Sequence, residues 1–132
     1  MQSRIEKAAE KKQSGLNCAQ AVACTYCDLV GMDEQTISAI TKPFGAGIGA
    51  TLEGTCGAIT GACTIIGLLN KGESRNKSMP DSRQLMKNFK ERNGTVTCRE
   101  LKGIGTGIVR RECVDCVRDA AEFLENILSD SD

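Results

Sequence analysis

The eight cysteines of this chain are the side chains best suited to chemistry, because none of its 132 residues is histidine. Without histidine there is no Ser-His or Cys-His nucleophile pair, no mixed Cys/His zinc site and no C-x-x-C-H haem attachment. The cysteine thiolate is both a nucleophile and a metal ligand. Any transition-metal site must therefore be built mostly from thiolates, which suit zinc, copper(I) or iron-sulfur clusters.

Four cysteines stand where the sequence predicts the start of a helix. The segments NCAQ and TCRE have the form of capping boxes, with Asn17 and Thr97 as the capping residues. Unpaired N–H groups and a partial positive charge at a helix start favour a thiolate. If these ends converge, they form one electropositive pocket lined by nucleophilic or metal-binding sulfur; otherwise each thiol is a small buried core group. The four are Cys18, Cys56, Cys98 and Cys113.

Two C-x-x-C pairs offer a competing ligand set. Cys24 and Cys27 share a helix face, but they lie in mid-helix, where no free N–H groups lower a thiol pKa, so we interpret them as packing. Cys113 and Cys116 lie nearer a helix start, and the arginines before them could stabilise a thiolate. The two pairs could together form a four-sulfur zinc or iron-sulfur site. Cys63 could be a resolving thiol or plain core.

Glycines cluster before and within the predicted central helix. The string Gly45, Gly47 and Gly49 follows a predicted helix and a proline instead of a strand, so the context of a dinucleotide-binding loop is missing. We interpret it as a close-packed loop that shapes the pocket and supplies backbone donors to sulfur; Gly57 is the fourth glycine expected there. Gly57 and Gly61 share a helix face that admits a neighbouring helix or serves a homodimer interface.

The elements that must position these residues are predicted to be helices. Strand signals are thin, whereas apolar residues at helical spacing are plentiful, including Ile37, Ile40, Leu85, Met86 and Phe89. We expect an all-α bundle of about five to seven helices, with the glycine-rich loop before the central one, which begins near Thr55 or at Thr51. The other predicted helices are one that ends near Gly15, three over 18–31, 33–41 and 81–94, one over CRELKG and one from about 110 to 128. A polar loop is predicted at 70–80.

Length and charge narrow the functional class. The 132 residues suit one domain, 1–132, and 17 basic residues balance 17 acidic ones, so nucleic acid is not an expected partner. The N-terminus lacks the form of a secretory signal, and no apolar run suits membrane insertion. We therefore expect a cytoplasmic protein, in which the cysteines are reduced, metal-bound or redox-cycling rather than permanently cross-linked.

The order of these motifs resembles a known family, the putative redox-active proteins named for a C…GCAxxG…C…C cysteine pattern. The motifs are GLNCAQAV, FGAGIG, CGAITG, CRELKG and a final cysteine ahead of VRDAAEFLENIL. By position, the resemblance places the family's cysteines on Cys18, Cys56, Cys98 and Cys113, although Thr55 stands where the family has glycine. The extras particular to this chain are then Cys24, Cys27, Cys63 and Cys116.

The resemblance implies a redox role. A related domain occurs in split-Soret cytochromes that carry haem and non-haem iron, which implies cluster binding, although the haem-attachment signature is missing here. The leading hypothesis is a small redox protein, an oxidoreductase or an electron carrier, in which the four cysteines hold an iron-sulfur cluster or cycle between dithiol and disulfide. The alternatives are a non-catalytic zinc-binding or metal-handling module, and a structural interaction domain with inert thiols. The redox partner is left open.

Overall fold

The computed structural model describes residues 1–72 and 76–130, and over these ranges the chain folds into seven α-helices without a β-sheet. The all-α prediction is confirmed. Short 3-10 turns follow the second and third helices. The helices are α1 (Ile5–Gln13), α2 (Cys18–Tyr26), α3 (Glu34–Thr41), α4 (Gly57–Leu69), α5 (Ser78–Asn93), α6 (Cys98–Lys102) and α7 (Cys113–Asp130).

Helix α4 lies at the centre, in contact with α2, α5 and α7. Its isoleucines, such as Ile59 and Ile65, are buried because the helix is apolar on most of its surface. A Cβ atom added to Gly61 would lie 2.4 Å from the Ala19 carbonyl oxygen, so glycine is what lets α2 approach this closely. The Gly61 face is therefore covered by α2 within the chain, which is the first of the two roles predicted for it, and a homodimer stays a prediction.

Local capping sets the ends of several helices as predicted. The Asn17 side chain accepts a hydrogen bond from the Gln20 N–H, and the Gln20 side chain accepts one from the Asn17 N–H. Asp33 caps α3 by accepting from the Thr36 N–H. Gly94 ends α5 in the left-handed region, at a φ of 80°. These ends are fixed within a few residues, which is why sequence reasoning finds them.

Some boundaries and orientations differ from the prediction. Helix α4 begins at Gly57 and not at Thr51, while α5 begins at Ser78, inside the segment 70–80 predicted as a loop. Residues 73–75 of that predicted loop lie outside the described residues. Ile40 is 45% exposed instead of inward, because Thr41 takes the buried place one turn after Ile37. None of the helices in the described ranges is long and apolar enough to cross a bilayer.

Candidate functional site

Four helix N-termini meet at a single cavity. Cys18, Cys98 and Cys113 are the first residues of α2, α6 and α7, and Cys56 immediately precedes α4. All four line a cavity of about 70 Å³, and Cys116 lines it too. Since about 10–15 Å³ on this measure holds one water molecule, the cavity can admit a group of several atoms. The structure therefore brings together the four thiols singled out at helix starts and adds a fifth.

Backbone pairing holds Cys56 beside Cys98. The Cys56 N–H donates to the Val96 carbonyl at 2.8 Å, and the Cys98 N–H donates to the Gly54 carbonyl at 3.0 Å. This short antiparallel contact joins the residues before α4 to those before α6. The predicted cap by Thr97 is wrong, because its side chain makes no capping bond and the Arg99 N–H, one that a cap would satisfy, donates to the Leu52 carbonyl at 2.8 Å.

The glycine loop, residues 45–50, lies beside the cavity, but its glycines do not have the role expected of them. Residues 46–50 all have positive φ angles, a left-handed turn that costs about 1–2 kcal/mol per residue other than glycine. The Gly45 and Gly49 N–H groups donate to the Lys42 and Pro43 carbonyls in the turn before the loop, so they are not donors to sulfur. Ala46 lines the cavity, whereas of the four predicted glycines only Gly57 does so. Gly47 instead lets the loop lie close to Cys98, because an added Cβ would be 2.9 Å from the Cys98 Cβ.

Cys18 and Cys113 form a hydrogen-bonded thiol pair. The Cys18 thiol has two acceptors on Cys113, the carbonyl oxygen at 3.9 Å and the sulfur. The interaction with the sulfur lowers the pKa of Cys113 to about 6, with help from Lys12 and Lys102 and against the effect of burial. The same bond, with burial, raises the pKa of Cys18. At neutral pH the pair therefore consists of a thiolate on Cys113 and a protonated Cys18.

Cys56 and Cys116 form a second pair of the same kind. A hydrogen bond from the Cys116 thiol lowers the pKa of Cys56, and the Ala58 and Ile59 N–H groups at the start of α4 lower it further, against burial. The pKa of Cys116 is raised by this bond and by burial. Each of the two pairs thus joins α7 to a different helix, and each contains one sulfur that favours the thiolate.

The charges around the cavity favour anions. Its lining includes three basic residues, Lys12, Lys102 and Arg111, and no acidic one. The carboxylate of buried Asp119 accepts two hydrogen bonds from Arg111, both at 2.9 Å, which offsets that positive charge. In the described part of the chain, neither lysine has a carboxylate within 4.0 Å. The lysines therefore face the thiolates without competing acidic partners.

Of the remaining four cysteines, three lie away from the cavity and one lines it without a hydrogen bond to another thiol. Cys24, Cys27 and Cys63 do not line the cavity, and burial is the main cause that raises the pKa of each. Cys98 lines the cavity, yet burial raises its pKa and no thiol donates to it. The sequence analysis placed Cys116 only in the competing C-x-x-C ligand set, and its position one turn after Cys113 was the signal for it.

A single metal ion does not fit the thiols as they stand. Over the described residues, which include all eight cysteines, no group of three or more cysteine, aspartate or glutamate side chains is placed to hold one ion. The cavity thiols are instead arranged as two hydrogen-bonded pairs.

Comparison with known proteins identifies the family. The model of the C_GCAxxG_C_C family, described as putative redox-active proteins, matches residues 16–127. The chain belongs to this family. The match covers every cysteine, and the family's description agrees with the redox class predicted from them. Searches of the curated proteins and of the solved structures found no match.

Proposed function

We propose that the chain is a thiol-disulfide redox protein of a reducing, cytoplasmic compartment, with Cys113 as the attacking thiolate and Cys18 as the resolving thiol. The observation that supports this is the Cys18–Cys113 pair itself. A nucleophilic thiol needs a lowered pKa, partial exposure and cationic neighbours, and Cys113 has all three. A resolving thiol must lie within bonding reach of the attacking sulfur, and Cys18 is hydrogen-bonded to it.

The reaction uses an external disulfide as the oxidant. The Cys113 thiolate attacks one sulfur of that disulfide, forms a mixed disulfide and releases the other half as a thiolate. Cys18 then gives its proton to the released thiolate and attacks the Cys113 sulfur. The Cys18–Cys113 bond forms and the second half leaves as a thiolate. Two electrons pass from the two cysteine sulfurs to the substrate, whose disulfide becomes one thiol and one thiolate.

The hydrogen bond between the two sulfurs also orders these steps. While Cys113 is a thiolate, it holds the proton on Cys18, so Cys18 does not compete as a nucleophile. Once Cys113 is bonded to substrate, its negative charge is gone and this cause of the raised Cys18 pKa disappears. The resolving thiol is therefore released only after the first step has taken place.

Oxidation with a small-molecule disulfide tests the proposal. The reduced protein is treated with oxidised glutathione, and mapping by mass spectrometry is expected to find a Cys18–Cys113 bond. Cys113→Ser should lose that bond and the release of reduced glutathione, whereas Cys27→Ser should keep both. Unreacted thiols at Cys18 and Cys113 in the folded protein would refute the proposal.

A second candidate is binding of an iron-sulfur cluster, which the five thiols around one cavity favour. Cys18, Cys56, Cys98 and Cys113 would be its ligands, and both thiol-thiol hydrogen bonds would have to open. Cys98 separates the candidates, because the dithiol reaction does not use it. Anaerobic purification with iron, sulfide and zinc analysis is the test: Cys98→Ser should abolish cluster binding but leave disulfide formation intact. Stoichiometric zinc without iron would favour the metal-handling alternative.

A further inference from the structure

We propose that Cys56 and Cys116 form a second redox dithiol, which exchanges with the Cys18–Cys113 disulfide, so that one chain stores two disulfides. This inference rests on the proposed function and extends it from two electrons to four. It gives a role to Cys116, a residue that neither the family's cysteine pattern nor the capping positions single out.

The geometry brings the two pairs to the same cavity. Cys56 and Cys116 both line it, and the interaction between their thiols is the main cause that lowers the pKa of Cys56 and raises that of Cys116. The starts of α2 and α4 are in close contact: a Cβ atom added to Gly57 would lie 3.4 Å from the Cys18 Cβ. Cys56, the residue before Gly57, lines the same cavity as Cys18, and its charge helps to raise the pKa of Cys18.

The exchange balances without an added reagent. The Cys56 thiolate attacks Cys18 of the first disulfide, the Cys18–Cys113 bond breaks, and Cys113 leaves as a thiolate. Cys116 then attacks the Cys56 sulfur and passes its proton to Cys18. The products are a Cys56–Cys116 disulfide, a Cys113 thiolate and a Cys18 thiol. Two electrons have moved from the second pair to the first, which is ready for another substrate.

The pairing across helices differs from the one that the C-x-x-C spacing suggests. Cys113 and Cys116 are three residues apart at the start of α7, where a disulfide within the motif is a familiar arrangement. In this chain each of them is hydrogen-bonded to the thiol of another helix. The alternative bond between Cys113 and Cys116 is therefore the result that the experiment must exclude.

Cleavage before aspartate distinguishes these pairings, because Asp115 lies between the two cysteines of the motif. The intact protein is oxidised fully with excess oxidised glutathione, and the remaining thiols are alkylated before digestion. Tandem mass spectrometry then places each bond within its fragment. The fragments to be linked are 1–27 with Cys18, 33–80 with Cys56, 81–114 with Cys113 and 115–118 with Cys116.

Each outcome decides between the pairings. Links 1–27 to 81–114 and 33–80 to 115–118 in the same molecules are expected, with about four electrons passed from each chain to glutathione. The first link alone would overturn this inference and leave the proposed function standing. A link from 81–114 to 115–118 through Cys113 and Cys116 would overturn both, as would the absence of any disulfide.

A matched pair of variants checks the electron count independently. Cys116→Ser is expected to halve the number of protein disulfides formed per chain, because the unpaired Cys56 can form only a mixed disulfide, while it keeps the Cys18–Cys113 bond. Cys63→Ser, a half-buried cysteine on α4 away from the cavity, should keep the full count. Equal counts for Cys116→Ser and the unmodified protein would contradict the second dithiol, and circular dichroism verifies that both variants are folded.

Discussion

The two C-x-x-C motifs of this chain have the same spacing and opposite positions on their helices. In CVDC, Cys113 begins α7. In CTYC, Cys24 lies in the second half of α2, and Cys27 begins the 3-10 turn that follows it. The N-terminal end of a helix presents free N–H groups and positive charge, whereas the C-terminal end presents carbonyl oxygens and negative charge.

The thiols of the two motifs differ accordingly. The pKa of Cys113 is about 6, lowered by the Cys18 thiol and two lysines. The pKa values of Cys24 and Cys27 are raised, first by burial and next by the Glu34 carboxylate. Both CTYC thiols donate to backbone carbonyls, and no other thiol is among the groups that lower their pKa values. Spacing alone is therefore a poor guide to thiol chemistry, and the helix end and the neighbouring charges decide it.

The largest expected effect is on thiol reactivity. With a pKa of about 6, Cys113 is about nine-tenths thiolate at pH 7, against about 3% for an ordinary thiol. Cys113→Ser should lower the fastest alkylation rate at pH 7 about 10-fold or more, whereas Cys27→Ser should leave it unchanged. Stopped-flow alkylation of the two variants measures this, and an equal loss in both would contradict the contrast between the motifs.

The second effect is a displaced pH profile. Because the Cys18 thiol is the main cause of the low Cys113 pKa, Cys18→Ala should raise the midpoint of the alkylation profile from about 6 toward the ordinary value of about 8.5. Cys18→Ser keeps a hydroxyl donor and should move it less. The midpoint rises because the Cys113 thiolate loses the hydrogen-bond donor that stabilises it. A profile unaltered in Cys18→Ala would mean that the lysines alone set the Cys113 pKa.

The third effect tests what holds CVDC in place. Asp119, 2% exposed, accepts hydrogen bonds from Arg111, Arg92 and Asn93 and so ties the residues before α7 to α5. Asp119→Ala should lower the free energy of unfolding by about 1.5–3 kcal/mol and slow the alkylation of Cys113. Urea denaturation gives the first quantity. Unchanged alkylation would show that α7 is positioned without this network.

The smallest effect concerns the contact of α2 with α4. Gly61→Ala places a Cβ against the backbone of Ala19, so it should cost about 1–3 kcal/mol and separate Cys18 from Cys56. Gly67→Ala, on the same helix with nothing within 4 Å, should stabilise the protein by about 0.5–1 kcal/mol. Thermal unfolding of the pair measures both changes, and the same sign in both would contradict the close packing.

Much of the site could be predicted because its parts are local. The Asn17 cap and the start of α6 at Cys98 each depend on a few neighbouring residues, whereas the last helix begins at Cys113 and not at about 110. The Thr97 cap failed for the opposite reason, since the Arg99 N–H that it could satisfy donates to the Leu52 carbonyl of a distant segment. The role of Cys116 was hidden for the same reason, because its partner lies on another helix.

The sequence by itself determined that this is a helical, histidine-free, cysteine-rich chain with four thiols at helix starts. Only the tertiary structure decided that those starts meet and how the sulfurs pair. Cys18 and Cys113 are 95 residues apart, and their contact depends on the packing of α2 and α7 in the folded core. Capping acts within one turn of a helix, whereas the pairing of thiols depends on burial of distant apolar faces, which no short segment encodes.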